Sequence, residues 1–249
     1  MGMESDNVLL TTAQSPVAEQ ILSRPRLQPY LDTADGDMQR AVELYRWNQR
    51  LTGVVLKHSC DVEIAVRNAL DTQLVTLCQN KFGTKDWIGS EPDSTPEVIY
   101  GLLRKGIQEA RAHALTESRH RPKDHPRYRC APNRDDVLAQ LTFGTWDLLL
   151  GADLDSNMQD AVQQRLWSQG LCQAFPHGRQ DDEGRRRIAF RLKRIRKLRN
   201  RAAHAENLLR VEPEKRLTDM LSVLSAINSQ FPAWSMQTSP YRAIVKERP

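Results

Sequence analysis

The chain has 249 residues, 39% of them hydrophobic, with a formal charge of +5 and a pI of about 9.1. No apolar run approaches the roughly 20 residues that a membrane-spanning helix needs, and the N-terminus carries no basic-then-apolar leader pattern. A membrane-embedded or exported chain is therefore not expected. The basic excess weakly favours an anionic partner. Cys60, Cys78, Cys130 and Cys172 form no CxxC pair, and no histidine cluster completes a zinc pattern. Reduced thiols in a cytoplasmic protein are the expectation, with no metal and no cofactor.

In chain order the pattern is almost wholly helical, and one all-α domain spanning 1–249 is expected, with its core at about 22–230. Met1-Gly2-Met3 reads as an expression scar ahead of a natural start. Ser15 is placed to cap a short helix with Pro16 at its first position; Pro25 and Pro29 are expected to break the chain, with Arg26 to Leu31 a short turn of helix. From 36 to 79, Val42, Tyr45, Leu51, Val55, Val62, Val66, Leu70, Leu74 and Leu77 recur at three and four. This is the stripe of a long amphipathic helix, which Gly53 or His58-Ser59 could split in two. Residues 81–95 read as a loop with Trp87 against the core, and 96–118 as another helix.

Residues 119–133, "RHRPKDHPRYRCAPN", read as a Pro-punctuated loop. It is either a solvated segment or a strand-following surface on which Arg121, Lys123 and Arg127 meet phosphates and Tyr128 stacks on a base. His113, His120 and His125 are too irregular for metal ligands. Helices are expected at 134–151 and 157–174, then at about 185–209 and 213–230, with an irregular tail anchored by Trp234. Asp135-Asp136 and Asp181-Asp182-Glu183 stand at helix starts, where acids complement the helix dipole. Trp47, Trp146 and Trp167 are read as core or dimer anchors.

The most unusual stretch is 185–201, which holds ten Lys or Arg and no acid. Like charge at this density is costly in a helix unless something offsets it. Ile188, Leu192, Ile195, Leu198, Ala202, Ala205 and Leu209 form its expected buried stripe. Asn200 and His204 lie four apart, hence on one face, and the Arg199 side chain can sweep the same surface. Histidine exchanges protons near neutral pH, and arginine binds phosphate oxygens with a planar fork. Such a set suits phosphodiester cleavage, with Arg194, Arg196, Lys197 and Arg201 left to bind RNA. A solvated basic face with a half-exposed histidine is the alternative. On the earlier helix, Glu63 and Arg67 can pair along the helix surface.

"LRNRAAHAE" (198–206) resembles the R-x4–6-H signature of HEPN domains, in the "LRNRxAHHE" form of Abi-like (abortive infection) proteins. "LSRPRLQPYL" (22–31) resembles the opening of that family. "AVELYRWNQRLTGVVLKHSCDVEIAVRNAL" (41–70) is similar to its N-terminal helical segment, with E-x3-RN as Glu63, Arg67 and Asn68. "LAQLTFGTWDLLL" (138–150) is similar to its "LSFGFWxxLL" block. The resemblance implies a HEPN-type helical bundle with additional helices and a homodimer that joins two motifs. It also implies a metal-independent endoribonuclease that leaves 2′,3′-cyclic phosphate and 5′-hydroxyl ends, acting in phage defence or as a toxin. An antitoxin or regulatory RNA would then be a further partner. Arg199 and His204 would be the catalytic pair, with Asn200 orienting them and Glu63, Arg67 and Asn68 supporting. The pattern departs at Ala205, where a second histidine is usual, and at Asn207, where proline is usual. A non-catalytic RNA-binding module on the same helix is the other reading.

Overall fold

The computed structural model describes residues 14–89, 97–151 and 157–249. It is all-α, with no strand among the described residues. The helices are α1 (Gln14–Leu22), α2 (Arg24–Thr33), α3 (Met38–Phe82), α4 (Glu97–His120), α5 (Arg134–Gln140) and α6 (Phe143–Leu150). They continue with α7 (Asn157–Ser168), a 3-10 turn (Leu171–Ala174), α8 (Asp182–Ala203), α9 (Pro213–Ile227), α10 (Phe231–Met236) and α11 (Tyr241–Lys246). Met1-Gly2-Met3 lies outside the described residues. No described helix is long and apolar enough to cross a membrane.

The chain divides into two compact units, each discontinuous in sequence. The first comprises Met1–Lys57, Leu198–Lys215 and Thr238–Pro249. Its buried side chains include Leu27, Tyr30, Leu44, Trp47, Leu51, Ala202, Leu208, Tyr241 and Ile244. The C-terminal segment is tied in by hydrogen bonds as well as by burial. Trp47 Nε1 donates to the Ile244 carbonyl at 2.7 Å, and the Tyr241 hydroxyl donates to the Pro213 carbonyl at 3.0 Å. Both donors are in the interior, where an unmade bond would cost about 1–3 kcal/mol.

The second unit comprises His58–Lys197 and Arg216–Gln237. Its interior includes Val62, Val66, Leu70 and Leu74 of α3, Ile99, Leu103 and Ile107 of α4, and Trp146 and Leu149 of α6. Ile188, Leu192 and Ile195 of α8 are buried there too, with Met220 and Val223 of α9. Trp87 is fully buried, as expected; it meets Trp146 edge-on at 6.2 Å and donates to Asp71 at 2.7 Å.

Several boundaries differ from the sequence reading. α1 starts at Gln14, so Ser15 lies within it. Pro25 and Pro29 do not break the chain. Pro25 falls in the first turn of α2, where no N–H is needed, and Pro29 sits inside the helix. The break comes at Ser23, whose φ is +58°. α3 runs on through Gly53 and His58-Ser59. A helical glycine costs about 1 kcal/mol relative to alanine, less than the burial of Leu51, Val55 and Val62 on its flanks returns. The 134–151 segment is two helices, because Leu141 and Thr142 are extended between them. Gly170, at φ +151°, separates α7 from the 3-10 turn. α9 stops at Ile227, and the tail is helical at α10 and α11. Trp234 is no packing anchor, since it is 69% exposed.

Candidate functional site

In the R-x4-H motif Arg199 lies in the last turns of α8 and His204 directly follows its end, both within the first unit. Leu198 and Ala202 point inward, Arg199 is half-buried, and Asn200 and His204 are exposed. Arg199 Nη1 donates to Asn200 Oδ1 at 3.3 Å. The expected continuation of α8 to residue 209 is wrong, because the helix stops at Ala203. Ala205 takes a left-handed conformation, φ +53°, and is exposed instead of continuing the buried stripe. The Glu206 N–H bonds back to the Arg201 carbonyl at 2.9 Å and the Ala205 N–H to the Ala202 carbonyl at 3.1 Å. These two bonds define a Schellman stop, which normally uses glycine at the left-handed position.

Side chains lock this turn from several directions. Arg26 of α2 donates to the Ala205 carbonyl at 3.3 Å. Arg201 reaches Glu206 at 3.2 Å and also donates to the Asn207 carbonyl. The Leu208 N–H donates to the buried Asn48 side chain at 2.7 Å. His204 therefore stands directly before a pinned reversal and is one of the residues lining a cleft of about 220 Å³. Arg26, Tyr30, Tyr45 and Glu206 also line that cleft. Tyr30 and Tyr45 meet edge-to-face at 5.5 Å. Burial pushes the Tyr30 hydroxyl up to about 12, with Tyr45 adding and Arg26 opposing. It stays a neutral donor at physiological pH. Arg26, Tyr30 and Tyr45 carried no local signal, since Arg26 and Ala205 are 179 positions apart.

Glu63, Arg67 and Asn68 belong to the second unit. Arg67 Nε donates to Asn68 Oδ1 at 3.5 Å, and Asn68 borders an apolar cleft with Ile64, Phe231 and Trp234. In the same unit, the residues expected to bind RNA are engaged to different degrees. Arg196 Nε donates to the buried Asp147 at 2.5 Å, and Arg194 pairs with Asp219 at 3.1 Å. Burial raises Asp219 despite the opposing charges of Arg194 and Arg191. Lys197 is exposed.

The 119–133 loop is built around Asp136. Arg121 and Arg127 hold its two oxygens at 2.7 and 2.6 Å. Asp136 and Asn133 form a reciprocal capping box at the start of α5. Burial pushes the Asp136 carboxyl up, but Arg121, the Asn133 N–H and Arg127 together hold it below the usual range. Lys123 is exposed, and Tyr128 is half-buried with the Arg129 guanidinium 5.1 Å from its ring. No protein-family model, curated protein or solved structure matches the chain.

Proposed function

We propose that the chain is a metal-independent endoribonuclease of the Abi-like HEPN type, cutting RNA at Arg199 and His204. The observation that carries this reading is the placement of His204 at a pinned helix stop, at the edge of a cleft, with Arg199 and Asn200 one turn before it. His204 would take the proton from a ribose 2′-hydroxyl as that oxygen attacks the adjacent phosphorus. Arg199 would balance the charge that builds on the phosphoryl oxygens. The P–O5′ bond breaks, and the 5′-oxygen takes a proton from the imidazolium or from the equivalent group of a second copy. The products are a 2′,3′-cyclic phosphate and a 5′-hydroxyl. A homodimer would bring two such motifs to one RNA, and defence against phage or toxicity held by an antitoxin or regulatory RNA would be the setting.

One observation favours a second reading. The His204 ring makes no hydrogen bond to the described residues, whereas an acid–base histidine is ordinarily oriented by a partner. A non-catalytic RNA-binding module would need no such orientation. The discriminating experiment is cleavage of mixed single-stranded RNA in EDTA by wild type, Arg199→Ala and His204→Ala. Wild-type cutting with cyclic-phosphate ends, lost in both variants, supports the nuclease. Cutting by all three alike, or by none while RNA still binds, overturns it.

A further inference from the structure

A second basic feature lies within the second unit and uses none of the motif residues. α8 and α9 face each other across a groove of about 510 Å³. On the α8 side it is lined by Gly184, Arg187, Ile188 and Arg191, and on the α9 side by Thr218, Leu221, Ser222 and Ser225. Each set follows the i, i+3, i+4, i+7 spacing of a single helix face. One wall therefore presents two guanidinium groups a turn apart, and the other presents three hydroxyls. The apolar floor comes from Ile188 and Leu221. Among the described residues no carboxylate lines the groove.

The end wall is fixed by the backbone. The His177 N–H donates to the Ala226 carbonyl at 3.0 Å, and Gln180 Nε2 donates to the Phe175 and Gly178 carbonyls at 2.9 and 3.0 Å. A side chain at Gly184 would come within 2.0 Å of the Arg179 carbonyl oxygen, so that loop rests directly on α8. His177 and Arg179 are held at the mouth in this way.

The ion pairs along α8 set this stretch apart. Arg185, Arg186, Arg194 and Arg196 each bond to aspartates: Asp160 and Asp182 for the first two, Asp219 and Asp147 for the others. Arg191 makes no hydrogen bond or ion pair among the described residues, and only the more distant charge of Asp219 faces it. Arg187 has one partner, the half-exposed Glu183, which it shares with Arg179. A phosphate can displace so exposed a carboxylate at little cost.

We propose that this groove is a holding site for the phosphodiester backbone of single-stranded RNA, formed by Arg187 and Arg191 with the hydroxyls of Ser222 and Ser225. From 184 to 191 the α8 wall extends about 10 Å at 1.5 Å per residue, longer than one phosphate and suited to a string of them. Contacts of this kind hold a strand without reading its sequence. The proposal rests on RNA being the ligand of the chain, but not on cleavage.

The test is fluorescence anisotropy with a labelled 2′-O-methylated single strand, which cannot be attacked, across a salt titration. Arg187→Ala/Arg191→Ala should bind at least tenfold more weakly. Its log–log salt slope should fall in magnitude by about 1.4, the value for two lost phosphate contacts on a single strand. Arg104→Ala/Lys105→Ala, which removes two exposed charges from α4, should stay within threefold of wild type. Glu183→Gln, which frees Arg187, should bind more tightly. Equal losses in both double variants, an unchanged slope, or no binding by wild type at low salt would overturn the groove. Displacement of the strand by inorganic phosphate at matched ionic strength would also overturn it, because the site would then be one for a free anion. Binding that needs the groove without any RNA cleavage leaves this proposal standing and removes the nuclease. Cleavage that ignores the groove variants does the reverse.

Discussion

At the scale of single residues, Ala205 is the most informative position. An L-residue in the left-handed region costs roughly 1–2 kcal/mol, and here it buys the stop that leaves His204 at a cleft. Ala205→Gly should raise stability by about 0.5–1 kcal/mol in urea unfolding, because the bonds from Glu206, Arg26 and Arg201 are made through the main chain or elsewhere. No gain, or a loss, would mean that the Ala205 methyl carries contacts that its exposure does not suggest. The thiols give a second check. Cys60 and Cys130 are exposed, Cys78 and Cys172 buried, and burial pushes the Cys78 thiol up to about 11, helped by Asp86. Thiolate-specific labelling at pH 8 should modify Cys60 and Cys130 readily and spare Cys78 until the protein unfolds. Fast labelling of Cys78 in the native state would contradict the fold around α3.

At the scale of elements, much of the like charge on α8 is offset by ion pairs. Arg185 is fully buried, donating to Asp182 at 2.7 Å, Asp160 at 2.6 Å and the Leu150 carbonyl at 2.8 Å. It thereby fastens the ends of α6 and α7 to α8. Gly151 closes α6 at φ +81°, and a Cβ there would lie 2.4 Å from Gln163 Oε1 and 2.6 Å from Arg185 Nη1. Gly151→Ala should therefore cost about 2 kcal/mol or more, from strain and displacement of the buried guanidinium together. A cost under about 0.5 kcal/mol in chemical denaturation would show that the junction is softer than its contacts indicate. Sequence alone placed the helix, its charge and the local acids Asp182 and Glu183, but not the distant acids that pair with Arg185, Arg186, Arg194 and Arg196. Asp147, Asp160 and Asp219 carry no local mark distinguishing them from any surface aspartate.

At the scale of the whole molecule, the ion pairs and buried phenols bound the range of pH over which the fold holds. Arg179 and the Gly184 N–H hold the Asp181 carboxyl down to about 2. The Asp182 carboxyl is pushed up by burial but held lower overall by Arg185 and Arg186, and Asp136 is depressed as well. For depressed carboxylates the stabilisation is present above the unfolded value near 4 and is lost as pH falls through the folded one. Tyr30 shifts the other way, from 10 to about 12 through burial. Its contribution is intact below 10 and disappears as pH rises towards 12, since only the unfolded chain ionises in that window. Thermal melts should show a plateau between these limits, a fall from about pH 4 to 2, and a second fall from about pH 10 to 12. A flat acid limb would mean that the aspartate pairs around α8 are too solvated to matter.

The sequence by itself determined that the chain is helical, that α3 and α8 carry long apolar stripes, and that Arg199, Asn200 and His204 share one end of α8. Those are consequences of a 3.6-residue period and of local spacing, which adjacent residues encode. It also placed the acids that start α5 and α8, because capping is a local matter. Tertiary structure alone decided where α8 stops, since the left-handed Ala205 is held by Arg26 and its neighbour Leu208 by Asn48, both far away in sequence. It also decided that Tyr30 and Tyr45 line the cleft of His204, and that Arg121 and Arg127 close on Asp136. Among the described residues it left Arg191 of α8 without a close acid and Arg187 with only a half-exposed one. Each of these depends on which distant carboxylate, ring or carbonyl comes within about 3 to 6 Å, a relation that hydrophobic period and charge density along the chain do not contain.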